Sequence, residues 1–215
     1  MLVTSPFNIF EISQTQGESR KKIIDFFNIF PLGIIYTFPQ LIEFEKKSTS
    51  FNNEMIMFAT GVNTLFNIQI SNILDIMNND ESMKKSIGKM YENFNTEINN
   101  WKKNQKEYSW MKSFHNNLIK SMNDSFQIYD NYFNITKLGL CKSLEVLAFI
   151  KNQFIYNSKK EIKINSIIDS YNASILPYVD TYITERTVCS WLNIAKQKFI
   201  YLKDKKIINI STFFN

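Results

Sequence analysis

The stretch Ile168-Asp169-Ser170-Tyr171-Asn172-Ala173-Ser174-Ile175-Leu176-Pro177-Tyr178-Val179-Asp180-Thr181-Tyr182-Ile183-Thr184-Glu185 decides the fold class. Residues 167–176 read as a helix, which Pro177 stops because a proline has no N–H and its ring blocks the preceding turn. Thr181-Tyr182-Ile183-Thr184 is β-branched and aromatic, the composition of a strand, and Glu185 stands at that strand's carboxyl end. Downstream, Val188, Trp191, Leu192, Ala195 and Phe199 predict another helix, and Ile207 to Ile210 a last strand. Helix, strand, helix, strand is the order expected of a parallel sheet.

Working back to the start, Leu2-Val3-Thr4 reads as the end of a strand or a loop. Ser5-Pro6 then suits a helix start, since a hydroxyl caps and proline fits the first turn. A short helix carrying Glu11 follows and Gly17 breaks it. A second helix, with Ile23, Ile24, Phe26, Phe27 and Ile29, stops before Pro31. Ile34-Ile35-Tyr36 reads as a short buried strand or an extended connector.

From Gly61 the apolar residues recur at three and four positions, the spacing of one helical face. Val62, Leu65, Phe66, Ile70, Ile73, Leu74 and Met77 form the first such series. Met83, Ile87, Met90, Tyr91, Phe94, Ile98 and Trp101 form the second, and Tyr108, Met111, Phe114, Leu118, Ile119 and Met122 the third. A further helix is expected from about Lys137 to Phe154, with Leu140, Leu144, Leu147 and Ile150 inward, ending in the polar turn Asn157-Ser158-Lys159-Lys160. No fixed-period repeat emerges.

A chain of 215 residues that is 44% hydrophobic and 15% aromatic can bury a sizeable core, and five Gly and four Pro are few for an all-β fold. Cys141 and Cys189 lie far apart and make no CxxC pair, and with the lone His115 they cannot complete a zinc set. Both cysteines read as small core residues and His115 as a packed ring. No secretory leader is expected among the first twenty residues, which carry Glu11 and Glu18, so a reducing cytoplasm fits best. The uncharged run from Phe26 to Ile42 is broken by Asn28, Pro31, Gly33, Pro39 and Gln40. It falls short of the about 20 apolar residues of a membrane span.

The net charge is +5. Between Lys84 and Lys120 eight lysines stand against Glu92, Glu97 and Glu107, a local surplus of five. The plain reading is a solvated helix face. The sharper one is a phosphate-tracking surface in which Lys102, Lys103 and Lys106 contact the backbone and Trp101 and Trp110 stack on bases.

Asp169, one short connection before the strand, and Glu185, just after it, lie where open α/β sheets collect their sites. Two or more carboxylates supply the hard oxygens that Mg2+ or Mn2+ takes while water attacks a phosphate. The 168–185 segment resembles the closing part of PIN-like nuclease domains, in which an acidic helix residue precedes a strand ending in Thr and an acid; Asp169 and Glu185 match those places. Ser5-Pro6-Phe7-Asn8-Ile9-Phe10-Glu11 is similar to the family's early helix, and Glu11 matches its metal-site glutamate.

The resemblance covers about sixty residues at the two ends of the chain. It implies one α/β domain over 1–215, helix-rich with a small parallel sheet, and 61–156 as a large helical insertion. It also implies a metal-dependent ribonuclease that holds Mg2+ or Mn2+ through Glu11, Asp169 and Glu185 and acts on RNA or another single-stranded nucleic acid, with a regulatory protein as a further partner and no membrane. Two departures stand out. PIN-like domains carry an aspartate on their first strand, and none precedes Ser5 here, which implies a start further upstream or an inactive relative. Glu185 replaces the more usual aspartate. The alternative is a non-catalytic α-helical protein that binds nucleic acid or another protein. Each site residue also has an ordinary role: Glu11 and Asp169 as helix-surface carboxylates, Glu185 as a helix start, Asp180 as a cap. Glu43, Glu45, Lys46 and Lys47 read as a solvated helix end.

Overall fold

The computed structural model describes residues 2–29, 32–35, 38–47, 56–60, 70–103, 141–157 and 162–213. It is helix-dominated, with short strands in two small sheets. The chain divides into two compact units, one made of Met1–Leu41 and Phe51–Met90, the other of Ile42–Ser50 and Tyr91–Asn215.

In the first unit, strand β1 (Leu2–Thr4) leads into helix α1 (Pro6–Ser13). The Ser5 side chain accepts the Asn8 N–H at 3.2 Å, and Pro6 opens the helix where no N–H is needed. Gly17 has φ +62, a left-handed conformation that L side chains resist, and the chain turns there into α2 (Gly17–Ile29). β2 (Leu32–Ile35) returns parallel to β1, with Leu2 opposite Leu32 and Thr4 opposite Ile34. β3 (Ile56–Thr60) adds antiparallel on its other side, giving the order β1-β2-β3.

Ile9 of α1 and Ile34 of β2 meet Ile70 and Leu74 of α4 (Ile70–Asn78) in the core of this unit, and Ile12, Ile24, Phe27, Ile73 and Met77 pack around them. Arg20 ties the helices together, donating to the Ser13 carbonyl at 2.9 Å and to Asp75 at 2.6 Å. The expected helix over the Val62 series is therefore seen from Ile70 on; residues 61–69 lie outside the described ones.

Helix α3 (Phe38–Lys47) and the long α5 (Glu81–Lys103) each have residues in both units. The Asp80 carboxylate accepts the Met83 N–H at 3.0 Å, which caps the start of α5. Of the series read for this helix, Ile87, Met90, Phe94 and Ile98 are buried.

The second unit is organised around α6 (Lys142–Asn157). The sequence predicts one inward face for it, yet every residue from Ser143 to Ile155 is buried, charged ones included. A helix covered on all sides is not amphipathic, and its polar residues must find partners inside. α7 (Ile164–Asn172) and a 3-10 helix (Ala173–Tyr178) pack against it. The α-helical turn ends at Asn172 and not at Leu176, because the ring of Pro177 would clash with the carbonyl four residues back, that of Ala173. Edge-to-face rings fill the core: Phe94 with Phe154 at 5.7 Å, Phe154 with Trp191 at 4.8 Å and Phe149 with Phe199 at 6.0 Å.

β4 (Thr181–Thr184), α8 (Arg186–Lys198) and β5 (Lys206–Asn209) form the strand, helix, strand unit expected at the end of the chain. The strands are parallel, with Thr181 opposite Lys206 and Thr184 opposite Asn209. Val188, Leu192 and Ala195 are the buried face of α8, and a 3-10 turn (Ile200–Leu202) and a last short helix, α9 (Ile210–Phe213), flank β5. Among the described residues no helix is long and apolar enough to cross a membrane.

Candidate functional site

The carboxyl end of β4 is assembled by the alternation of a strand. Tyr182 and Thr184, two apart, share one face of β4, and Thr184 is buried. Burial raises the Tyr182 phenol above its ordinary range, and the Asp169 charge raises it further while the Thr184 hydroxyl lowers it. Asp169 is half-buried on α7.

Glu185 follows Thr184 directly and is the N-cap residue of α8. Its side chain makes no capping hydrogen bond, and its carbonyl accepts the Cys189 N–H at 2.9 Å. An exposed carboxylate thus sits at the amino end of a helix. Opposite Thr184, Asn209 closes the end of β5, its side-chain oxygen accepting the Ser211 N–H at 3.1 Å. Asp180 lies at the other end of β4, where its backbone carbonyl accepts the Lys206 N–H at 2.8 Å.

The second unit thus holds Asp169 and Glu185, while Glu11 belongs to α1 in the first, where burial raises its carboxyl above the usual range. β1 carries no carboxylate of its own. Lys102 and Lys103 lie in the last turn of α5 with Trp101 just before them; Lys106, Trp110 and His115 fall outside the described residues. Cys141 is buried and Cys189 half-buried.

Among the described residues no group of three or more His, Cys, Asp or Glu is placed to hold a metal ion. Mg2+ keeps several of its waters and is commonly held by one or two carboxylates together with substrate phosphates. Asp169 on α7 and Glu185 at the end of β4 are hard oxygen donors of the kind such an ion takes.

One group departs from the sequence reading. Glu45, expected on a solvated helix end, is only 5% exposed. Its Oε1 accepts the Ser143 N–H at 2.8 Å and the Tyr178 hydroxyl, so it caps α6 from a distant part of the chain. Burial raises the Glu45 carboxyl above the usual range, against the lowering effect of Tyr178, Ser143 and Lys142. Oε2 has no hydrogen-bond partner among the described residues; the Ser143 hydroxyl favours the charged form without reaching hydrogen-bond geometry. Nearby, the Tyr201 hydroxyl donates to Glu145 at 2.5 Å. The sequence signal available was weak: Leu41 and Ile42, three and four residues back, mark the apolar face that Glu45 extends.

No protein-family model matches the chain, and neither a curated protein nor a solved structure matches it. The likeness to PIN-like domains rests on the quoted residues alone.

Proposed function

We propose that the chain is a metal-dependent ribonuclease of PIN-like type in which Asp169 and Glu185 hold Mg2+ or Mn2+. The observation that carries this reading is the parallel pairing of β4 with β5, in a strand, helix, strand unit whose first strand runs at its carboxyl end directly into Glu185 and is preceded by the helix carrying Asp169. Parallel strand, helix, strand units collect their sites at that end. A divalent cation bound there would supply an activated water and neutralise phosphate charge.

The chain's own residues supply the placing. Asp169 is carried by α7, whose buried face of Ile167, Ile168 and Tyr171 fixes the helix. Glu185 stands at the N-cap of α8, its carboxylate exposed. Glu11, the third carboxylate named by the resemblance, lies on α1 in the first unit.

The test is cleavage of single-stranded RNA with Mg2+ or Mn2+. Asp169→Asn is expected to lower the rate at least 100-fold, the scale set by removing one charged group from a site of this kind (about 3 kcal/mol), with the unfolding midpoint unchanged. Cleavage by Asp169→Asn at the parent rate overturns the assignment. A second reading, nucleic-acid binding without turnover, is favoured by the absence of a carboxylate from β1. It predicts a gel shift that persists in chelator and no product when metal is supplied.

A further inference from the structure

The connection from α8 to β5 concentrates positive charge. Residues 196–206 contain Lys196, Lys198, Lys203, Lys205 and Lys206 against Asp204 alone, a surplus of four. The local fold holds these charges together despite their repulsion. The 3-10 turn folds the segment back, with the Lys203 N–H on the Ile200 carbonyl at 3.2 Å and the Lys205 N–H on the Leu202 carbonyl at 3.0 Å. Lys196 Nζ donates to the Lys205 carbonyl at 2.6 Å, tying the end of α8 to the start of β5. Lys198, Lys203 and Lys206 are left exposed at the amino end of the strand pair.

We propose that this end of the second unit is a binding surface for the phosphate backbone of single-stranded RNA, separate from the lysines of α5. The proposal rests on the nuclease reading for its choice of polyanion. Phe199 and Tyr201 stack on each other at 5.6 Å, Phe199 is buried, and the side chain that protrudes is Ile200, 77% exposed. An aliphatic side chain offers no face for base stacking, so the contact is with phosphates and indifferent to sequence. A three-residue turn with one protruding isoleucine is also too small an apolar surface for a stable lipid anchor.

Scale supports the placement. α8 has 13 residues and at about 1.5 Å per residue runs roughly 20 Å from Glu185 to the basic end. A few nucleotides of single-stranded RNA span that length. One strand of RNA lying along α8 would reach both the lysines and the carboxylate.

The experiment measures binding of an oligouridylate of about 20 nucleotides, longer than the roughly 4–16 that a small domain covers, by fluorescence anisotropy in chelator across a salt series. The full chain carrying Lys203→Gln and Lys206→Gln is expected to bind roughly 20-fold more weakly at 0.1 M salt, with the slope of log K against log salt reduced by about 1.4. The Lys203→Arg, Lys206→Arg chain is expected to bind like the parent. An unchanged slope in the glutamine variant, or a parent chain that does not bind the oligomer, overturns the proposal. So does loss of binding to phosphatidylserine vesicles with RNA affinity intact, which assigns the surface to lipid. Because the chelator removes any metal, these outcomes are independent of whether Asp169 supports cleavage.

Discussion

Lys151 Nζ lies 2.7 Å from Glu97 Oε2, linking α6 to α5, and 5.3 Å from the centre of the Phe94 ring. The Lys151 side chain is 2% exposed and that of Glu97 12%, so this ion pair is desolvated, unlike the surface pair of Lys22 and Glu18. Removing one partner strands the other charge in a low dielectric. Glu97→Ala is expected to lower the unfolding free energy by about 3–5 kcal/mol. Replacing both, Lys151→Met with Glu97→Leu, is expected to cost less than either single change; urea unfolding of the three chains checks the order.

Glu45 gives stability a pH dependence whose sign can be worked out. Burial raises its carboxyl in the folded chain above the unfolded value near 4.5, so the native state holds a proton that the unfolded chain releases. Its contribution is full below the unfolded pKa and is lost as pH climbs through the higher folded one. Glu45→Gln keeps an oxygen for Ser143 and Tyr178 without the titrating proton. Subtracting its unfolding curve from the parent's across that window is expected to leave a parent that weakens with rising pH; a flat difference refutes the raised value.

Gly17 is a test of backbone strain alone. A Cβ placed there would meet nothing within 4 Å, yet the φ of +62 remains costly for any other L residue. Gly17→Ala is expected to destabilise by about 1 kcal/mol and Gly17→Asn by less, since asparagine tolerates this region. Thermal unfolding followed by circular dichroism resolves the two.

Asp180, just before β4, is the control for the role proposed for Asp169. The Asp180 contact with Lys206 runs through its backbone carbonyl, so Asp180→Asn is expected to leave both fold and metal-dependent cleavage intact. Equal losses in Asp180→Asn and Asp169→Asn would place the chemistry elsewhere. Cleavage rates at saturating Mn2+ decide.

The strand, helix, strand ending was legible because each element announces itself locally. Thr181 to Thr184 is β-branched and aromatic, and Val188, Leu192 and Ala195 recur at helical spacing and are buried. The α5 series was legible for the same reason. Glu45 was not, because its burial is decided by Ser143 and Tyr178, 98 and 133 residues away, which no local pattern reveals. Lys151 likewise reads as a solvent-facing residue until α5 and its Glu97 are in place. For the candidate site, the sequence placed Asp169 before β4 and Glu185 after it. That Asp169 is half-buried on α7 emerged only from the fold.

Glu45 also has a consequence for the order of events during synthesis. The segment Ile42–Ser50 belongs with Tyr91–Asn215, and the partners of Glu45 are made 98 and 133 residues after it. At about 5–20 residues per second, a ribosome delivers Ser143 and Tyr178 roughly 5 to 25 seconds after this carboxylate has been polymerised. The first unit can gather most of its residues in that interval. The second must wait with an acidic group and apolar neighbours uncovered until the C-terminal third of the chain emerges.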